Sequence, residues 1–238
     1  MRRGTCKEGA MIKHDITKTN IAIERLLETT TNPRHRFLLM AYYRHRYLEL
    51  AGRYEEIFAP DMMCEKPVYH IRAYLDLKLE GKDAIKNLYR SWTETHQVIF
   101  YTENEQVAVA DNFVASTTIF YQQVFGAALR LSKAASYLPG FLSEAVVKYV
   151  LSKKSVVPDD NSMYLYTNYG EMIWSYDDRG RLIGENVYEP DPDKGDTIKL
   201  DPVDVVTVAQ AAERLNPLIK PLPSFDEMVL GSRNGAAS

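Results

Sequence analysis

Apolar residues recur at helical spacing in the first part of the chain and alternate with polar residues further along. Three segments repeat apolar positions three and four residues apart, as one face of an amphipathic helix does. Pro33 suits the first turn of the longest of these helices, and Gly52 ends it. The predicted helices cover residues 21–29, 33–52 and 82–96.

Alternating apolar and polar positions predict the strands, because successive side chains of a strand point to opposite faces. Turns at residues 111–112 and at Arg179–Gly180 join two pairs of these strands. Residues 73–81 follow neither period, and we interpret them as irregular. The predicted strands cover residues 58–72, 97–111, 112–125, 162–178 and 181–190.

Two further segments accompany the strands. Residues 127–157 contain two amphipathic patterns separated by Pro139–Gly140, and this helical insert is longer than a hairpin connection needs. We interpret it as a lid over an apolar ligand or as a subunit contact, or alternatively as packing that closes the fold permanently. Residues 191–238 form a C-terminal arm, in which Asp201 is the predicted N-cap of a last helix.

The order of these elements predicts the fold class. Helices come first, and a strand, a helix and four strands interrupted by the insert follow. The strict alternation of strands and long helices that a doubly wound parallel sheet requires is missing. We therefore predict an α+β fold in one domain, residues 1–238 with a core at about 33–190. Its helices pack on one face of a curved, mostly antiparallel sheet.

Composition and charge narrow the classes of protein. The chain has 238 residues, of which 45% are apolar and 26% charged, as in a soluble globular protein with a sizeable core. Its net charge is −3, and the sequence contains no recognisable nucleic-acid-binding motif, so we expect no nucleic-acid partner. No metal-ligand motif and no glycine-rich phosphate loop is present, so we expect no metal and no cofactor.

The sequence also bears on location. No segment has the apolar run of a signal peptide or the length of a membrane span, so we expect no membrane partner. Cys6 and Cys64 give no disulfide framework and suit a reducing compartment. A cytoplasmic protein is therefore expected.

One predicted strand carries an unusual row of side chains. The row shares one side of the strand at residues 58–72, and it combines charged and titratable residues with two apolar ones. Either this side faces water, or it lines a partly dry cavity in which polar groups do chemistry, and we predict the cavity. The row consists of Cys64, Lys66, Val68, His70 and Arg72.

Short motifs fall in a recognisable order along these elements. They are FAPD at 58–61, G-K-x-A-I at 81–85 and W-x-Y-D-x-x-G-R-L-I at 174–183. Together with the helices and paired strands between them, they resemble the nuclear transport factor 2-like superfamily, especially its SnoaL-like and ketosteroid isomerase-like members. The match covers roughly residues 35–126 and 160–190. It implies a cone-shaped α+β barrel, in which a bent sheet wraps a long helix and leaves a pocket at the open end.

The resemblance suggests roles for individual residues. Glu65-Lys66-Pro67-Val68 resembles the ketosteroid isomerase run Glu-Asp-Pro-Val, but Lys66 replaces the Asp that acts as base there. Plain ketosteroid isomerisation is therefore not expected. His96 lies where scytalone dehydratases carry a pocket His. Tyr42 or His45, one turn apart on the long helix, is similar to the pocket Tyr that the family often places there.

The predicted chemistry is general acid/base catalysis. His96 and His70 titrate near neutral pH and are the first candidates to transfer protons, with a purely structural His as the alternative. Lys66 either stabilises a developing oxyanion or is a surface charge. The predicted catalytic residues are His96, His70, Lys66, Tyr42 and His45. The predicted substrate-binding residues are Arg72, Arg46, Tyr121, Trp92, Phe141 and the acids of the final strands, Glu171 and Glu185.

Three functions are compatible with these residues. The preferred hypothesis is a cofactor-independent lyase or dehydratase that acts on a hydrophobic, hydroxylated aromatic substrate. The chain looks most similar to the superfamily's lyases that release formaldehyde from lignin-derived diarylpropane diols, which implies a stilbene product formed through a quinone methide. The alternatives are an isomerase or polyketide cyclase that uses an enolate, and a non-catalytic ligand-binding or assembly module. Many superfamily members are dimers or trimers, so the resemblance implies a homo-oligomer.

Overall fold

The structure is a computed structural model that describes residues 14–73, 76–129 and 159–231. Within these residues, the helices of eight residues or more follow the order of the chain. They are α1 (Ile21–Thr29), α2 (Pro33–Leu50), α3 (Lys82–Glu94) and α4 (Val208–Leu215).

Seven strands form one sheet. Their order is β2-β1-β6-β5-β4-β3, and β7 pairs with β5 beyond the end of β6. The pair β1–β6 is parallel, and the other described pairs are antiparallel. The strands are β1 (Met63–Arg72), β2 (Asp76–Glu80), β3 (Phe100–Val109), β4 (Phe113–Phe125), β5 (Met163–Tyr176), β6 (Leu182–Tyr188) and β7 (Asp196–Lys199).

Helix α2 lies at the centre of the fold. Its first turn is capped by Asn32, whose Oδ1 accepts hydrogen bonds from the N–H groups of Arg34 (2.9 Å) and His35 (3.2 Å). From residue 37 to residue 50 every side chain of α2 is buried except those of Met40 and Arg44. A helix that is buried on nearly all sides requires a sheet that curves around it. The predicted α+β fold with a curved, mostly antiparallel sheet is therefore confirmed.

The outer face of the sheet, which points away from α2, carries exposed apolar side chains. Tyr169 and Ile173 of β5 and Tyr188 of β6 are exposed there. Apolar residues of this kind are common at contacts between subunits. The homo-oligomer expected from the sequence stays a prediction.

Most of the predicted helices and strands are confirmed, and three features differ. Residues 73–81 are not wholly irregular, because Asp76–Glu80 forms the edge strand β2. The C-terminal arm contains the strand β7. Asp201 does not cap the last helix: it caps a single 3₁₀ turn at Pro202–Asp204, and Thr207 caps α4.

The predicted last helix does not run continuously from Asp201, and the reason is a pair of side-chain hydrogen bonds to Val206. The side-chain amide of Gln123 binds both backbone groups of Val206: its Oε1 accepts from the Val206 N–H (2.8 Å), and its Nε2 donates to the Val206 C=O (2.9 Å). These two hydrogen bonds hold the backbone outside helical geometry at that point. The helix can therefore begin only after Val206.

The insert predicted at residues 127–157 lies almost entirely outside the described residues. Its first described residues, up to Leu129, are helical, and Leu129 is buried against Val124, Tyr164 and Tyr166. Among the described residues, no helix is both long and apolar enough to cross a bilayer.

The end of the described chain packs on the start of α2. Phe225 meets Phe37 edge to face with 5.0 Å between the ring centroids. Both rings lie against the turn between β5 and β6, where Gly180 has a positive φ of 71°. A residue with a side chain at that position would be strained by the positive φ, and its Cβ would also clash with both aromatic rings.

Replacement of Gly180 by Ala is expected to lower the free energy of unfolding by about 1–3 kcal/mol. A Cβ there would lie 2.6 Å from Cε1 of Phe37 and 3.1 Å from Cδ2 of Phe225. Chemical denaturation measures the loss. The control is Gly170→Ala, because a Cβ at that position meets its nearest atom at 3.9 Å, an ordinary contact. Equal unfolding midpoints for the two variants would contradict the packing of Phe225 on this turn.

Candidate active site

A pocket lies between α2, α3 and the inner face of the sheet. Pockets with mainly apolar walls and a few polar groups are typical of small-molecule sites. Most of the walls of this pocket are aromatic or aliphatic and favour a flat, apolar ligand. These wall residues are Ile71, Leu77, Leu88, Trp92, Phe100, Phe120, Met172, Trp174 and Val187.

Helix α2 supplies three polar residues to one wall of the pocket. Tyr42, Arg46 and Glu49 are four and three positions apart, so they lie on the same side of the helix. Strands β1 and β6 form the opposite wall, where Tyr69 is paired with Glu185 in the parallel ladder. The α2 row therefore faces a second set of polar groups.

Arg46 is held by a buried ion pair. Its Nη1 donates to both carboxylate oxygens of Glu105, at 2.9 and 3.0 Å, and Nη2 donates to Thr102 Oγ1 at 3.3 Å. The two side chains are only 3% and 4% exposed. Glu105 reaches α2 because β3 is irregular beside it: the register with β4 shifts between Glu103 and Gln106. A bulge of this kind redirects side chains, and here it gives Arg46 a permanent partner.

Two carboxyl groups in the pocket have no such partner. Glu49 and Glu185 are 8% and 9% exposed, and neither side chain accepts a hydrogen bond from the described residues. Burial raises the pKa of Glu185 to about 8, against the opposing effect of Arg46. Burial and repulsion by Glu185 raise the pKa of Glu49 well above its ordinary value. Both shifts favour the protonated carboxyl, and a carboxyl with a raised pKa is suited to act as a general acid or base.

Two phenols and an indole add neutral polar groups to the pocket wall. The hydroxyl of Tyr42 lies 3.2 Å from Ser116 Oγ, and that of Tyr89 lies 3.0 Å from Nε2 of His45. Burial raises the pKa of both phenols, so they stay protonated. Nε1 of Trp174 is buried and has no hydrogen-bond partner in the described part of the chain.

Four of the residues predicted from the sequence line this pocket: Tyr42, Arg46, Trp92 and Glu185. His45 lies behind the wall, where its ring meets Trp174 edge to face at 4.5 Å. Burial and the neighbouring Arg46 lower the pKa of His45 to about 3, so its imidazole is neutral at physiological pH.

The predicted orientation of β1 requires correction. The row expected to face the cavity lies on the outer side, and the alternate residues Tyr69 and Ile71 face the pocket. Lys66 is exposed, His70 is half-buried with Nε2 at 3.0 Å from Asp76 Oδ1, and the Arg72 guanidinium lies 5.0 Å from the ring centroid of Tyr188. The reason is the cost of burial: an inward row would place two cations in an apolar pocket.

The other predicted residues also lie away from the pocket walls. His96 has a positive φ of 58°, and its Nδ1 accepts a hydrogen bond from the Val208 N–H at 3.4 Å, so it shapes the turn after α3. Tyr121 donates to Glu103 Oε2 at 2.9 Å. Glu171 alternates with the inward-facing Met172 and is therefore on the outer side of β5. Phe141 is outside the described residues.

Glu49, the polar residue of α2 that faces Glu185, is not among the residues predicted from the sequence. The only signal was its helical spacing from Tyr42 and Arg46. Tyr69 was placed on the side of β1 that was expected to face away from the cavity. In the part of the chain that the structure describes, no group of three or more His, Cys, Asp or Glu side chains could hold a metal ion.

No family model and no curated protein matches the sequence. Among solved structures, Bal32a from a soil-derived mobile gene cassette is 10% identical over 67% of this chain and 93% of its own, with a TM-score of 0.42. A protein from Jannaschia sp. CCS1 described as a SnoaL-like polyketide cyclase is 10% identical over 68% of this chain and 91% of its own, with a TM-score of 0.44.

A CaMKII hub from S. rosetta is 9% identical over 68% of this chain and 99% of its own, with a TM-score of 0.37. The cyclase is described as SnoaL-like, the group that the sequence motifs resemble. At these identities and TM-scores, the similarity decides neither family nor activity.

The raised pKa of Glu185 predicts that folding stability depends on pH. The carboxyl has a pKa of about 8 in the folded chain and an ordinary value of 4.5. Between these two pH values the folded chain binds more protons than the unfolded chain, so the free energy of unfolding falls as pH rises. Denaturation midpoints measured between about pH 5 and pH 8 give the slope.

Glu185→Gln is expected to make this slope shallower, because the amide does not ionise. Part of the slope remains, since the pKa of Glu49 is also raised. Glu80→Gln is the matched control: Glu80 is an exposed strand residue paired with Lys78, so the slope should persist in that variant. An unchanged slope in Glu185→Gln would show that this carboxyl does not titrate as its burial requires.

Proposed function

We propose that the chain is an enzyme that carries out general acid/base catalysis on a hydrophobic, hydroxylated aromatic molecule, with Glu49 and Glu185 as the residues that transfer protons. The observation that carries this proposal is the pair of buried carboxyl groups without hydrogen-bond partners on the wall of an aromatic pocket. Such groups destabilise a fold, and strongly shifted pKa values cluster at functional sites. A ligand that exchanges protons with them explains their presence.

The pair suits a lyase or dehydratase. A protonated carboxyl can give its proton to a leaving hydroxyl while an ionised one accepts a proton elsewhere on the substrate. Trp174 is directly opposite Glu185 in the β5–β6 ladder, and its ring forms part of the aromatic wall beside the acid. The aromatic walls hold the ring of the substrate and exclude water.

The specific reaction that we propose is the deformylation of a diarylpropane diol with a para-hydroxyl group. In the first step the protonated carboxyl protonates the benzylic hydroxyl, the C–O bond breaks, and the ionised carboxylate takes the phenol proton. The products are water and a quinone methide. The substrate's own phenol supplies the electron pair that forms the quinone methide as water leaves, so the two carboxyl groups need to supply only the proton transfers of this step.

The second step restores both groups. The newly ionised carboxylate takes the proton of the hydroxymethyl group, the C–C bond breaks, and formaldehyde leaves. The bonding electrons form the stilbene double bond and return the ring to a phenolate, which recovers its proton from the other carboxyl. One diol thus gives one stilbene, one water and one formaldehyde.

Turnover of such a diol tests the reaction directly. We expect the full chain, treated with a chelator and given no cofactor, to form stilbene and formaldehyde in equal amounts. Stilbene fluorescence and a formaldehyde assay measure the two products. Conversion to a product of the same mass as the substrate would instead identify an isomerase or cyclase that uses an enolate. Absence of turnover with any hydroxylated aromatic substrate would favour a non-catalytic binding module.

Substitution of the two acids tests their roles. Glu49→Gln and Glu185→Gln are each expected to lower kcat by roughly a hundred- to ten-thousandfold, the usual contribution of a general acid or base. Both substitutions preserve side-chain shape, and circular dichroism verifies folding. Glu80→Gln, on the exposed edge strand β2, should turn over substrate at the wild-type rate. Wild-type kcat in both pocket variants would refute the proposed pair.

A further inference from the structure

The pocket wall contains a third carboxyl that has no part in the reaction proposed above. Glu189 follows the last residue of β6, and its side chain lines the pocket although the residue is only 4% exposed. Its backbone N–H donates to the C=O of Arg72 at 2.9 Å, so it still belongs to the ladder between β6 and β1. The backbone position of Glu189 is therefore fixed by the sheet.

The carboxyl group itself is fixed through one of its two oxygens. Oε2 of Glu189 accepts hydrogen bonds from the hydroxyl of Tyr166 at 2.6 Å and from Nδ2 of Asn168 at 3.0 Å. Oε1 accepts no hydrogen bond from the described residues, and no Lys or Arg in the described ranges forms an ion pair with Glu189. One acceptor oxygen is therefore held in place and left open.

The position of Glu189 relative to the catalytic pair follows from strand geometry. Glu185 and Glu189 are four residues apart and face the same side, which in an extended chain separates their backbones by about 13 Å. Between them is Val187, which is paired with Ile71 on one side and Met172 on the other. The pocket is thus apolar in the middle and acidic at both ends.

We propose that Glu189, held by Tyr166 and Asn168, is a second ligand subsite that accepts a hydrogen bond from a hydroxyl group at the far end of an elongated substrate. This inference rests on the proposed function, because the near end of that substrate lies against Glu49 and Glu185. The pocket then selects molecules with hydroxyl groups at both ends of an apolar aromatic core. A hydroxyl fits better than an ammonium, because desolvating a cation in these apolar surroundings costs more.

Binding of two rigid probes tests this selection. The probes are 4,4′-dihydroxystilbene and 4-hydroxystilbene, and isothermal titration calorimetry with the full chain gives their Kd values. The dihydroxy probe is expected to bind roughly tenfold more tightly, the contribution of one additional hydrogen bond in a buried site. A 4-aminomethyl-4′-hydroxy probe should bind more weakly than the dihydroxy probe.

Variants locate the effect at Glu189. Glu189→Gln should reduce the advantage of the dihydroxy probe, and Glu189→Leu should abolish it, while the affinity for the monohydroxy probe changes less than about twofold. Should the Leu variant fail to fold, the Gln variant still measures the effect. Glu80→Gln is the control and should retain the full advantage.

The outcomes separate this subsite from the proposed function. If the wild-type chain binds both hydroxylated probes equally, or if Glu189→Gln retains the full advantage, the subsite is refuted and the proposed function stands. Tighter binding of the aminomethyl probe would refute the hydroxyl assignment. If neither stilbene binds, the proposed aromatic pocket fails together with the subsite.

Discussion

The buried ion pair between Arg46 and Glu105 ties the central helix to the sheet, and the rest of the pocket depends on it. It crosses from α2 to β3 with two hydrogen bonds, and both side chains are nearly inaccessible to water. Loss of one member of such a pair leaves an uncompensated buried charge, which costs about 3–5 kcal/mol. Tyr42 and Glu49 are on the same side of α2 as Arg46, so the Arg46–Glu105 ion pair also fixes the positions at which these two side chains face the sheet.

The same ion pair determines the charge state of the pocket. A free guanidinium beside Glu49 and Glu185 would pair with one of them and stabilise its ionised form. Glu105 binds the guanidinium through both carboxylate oxygens, so Arg46 only partly offsets the effect of burial on the two pocket acids. A structural contact thus leaves the pKa of both pocket acids raised, which favours their protonated forms.

Sequence periodicity was sufficient for most elements but not for their orientation. The alternation along β1 was recognised, yet the side that faces the pocket depends on its pairing with β6, which places Tyr69 beside Glu185. Strands β2 and β7 are short and largely exposed, so their patterns were weak. The burial of Glu49 depends on the sheet curving around α2, and a polar residue on a helix gives no sign of that in the sequence.

The parallel pairing of β1 and β6 decides which chemistry the pocket contains. A shift of one residue along β6 would turn Glu185 and Glu189 to the outer face. Gly184 permits the pairing that prevents this, because a Cβ at that position would lie only 2.5 Å from the carbonyl oxygen of Val68. The register of β1 against β6 shifts between Met63 and Val68, immediately before this close approach. The acidic ends of the pocket therefore depend on a residue that has no side chain.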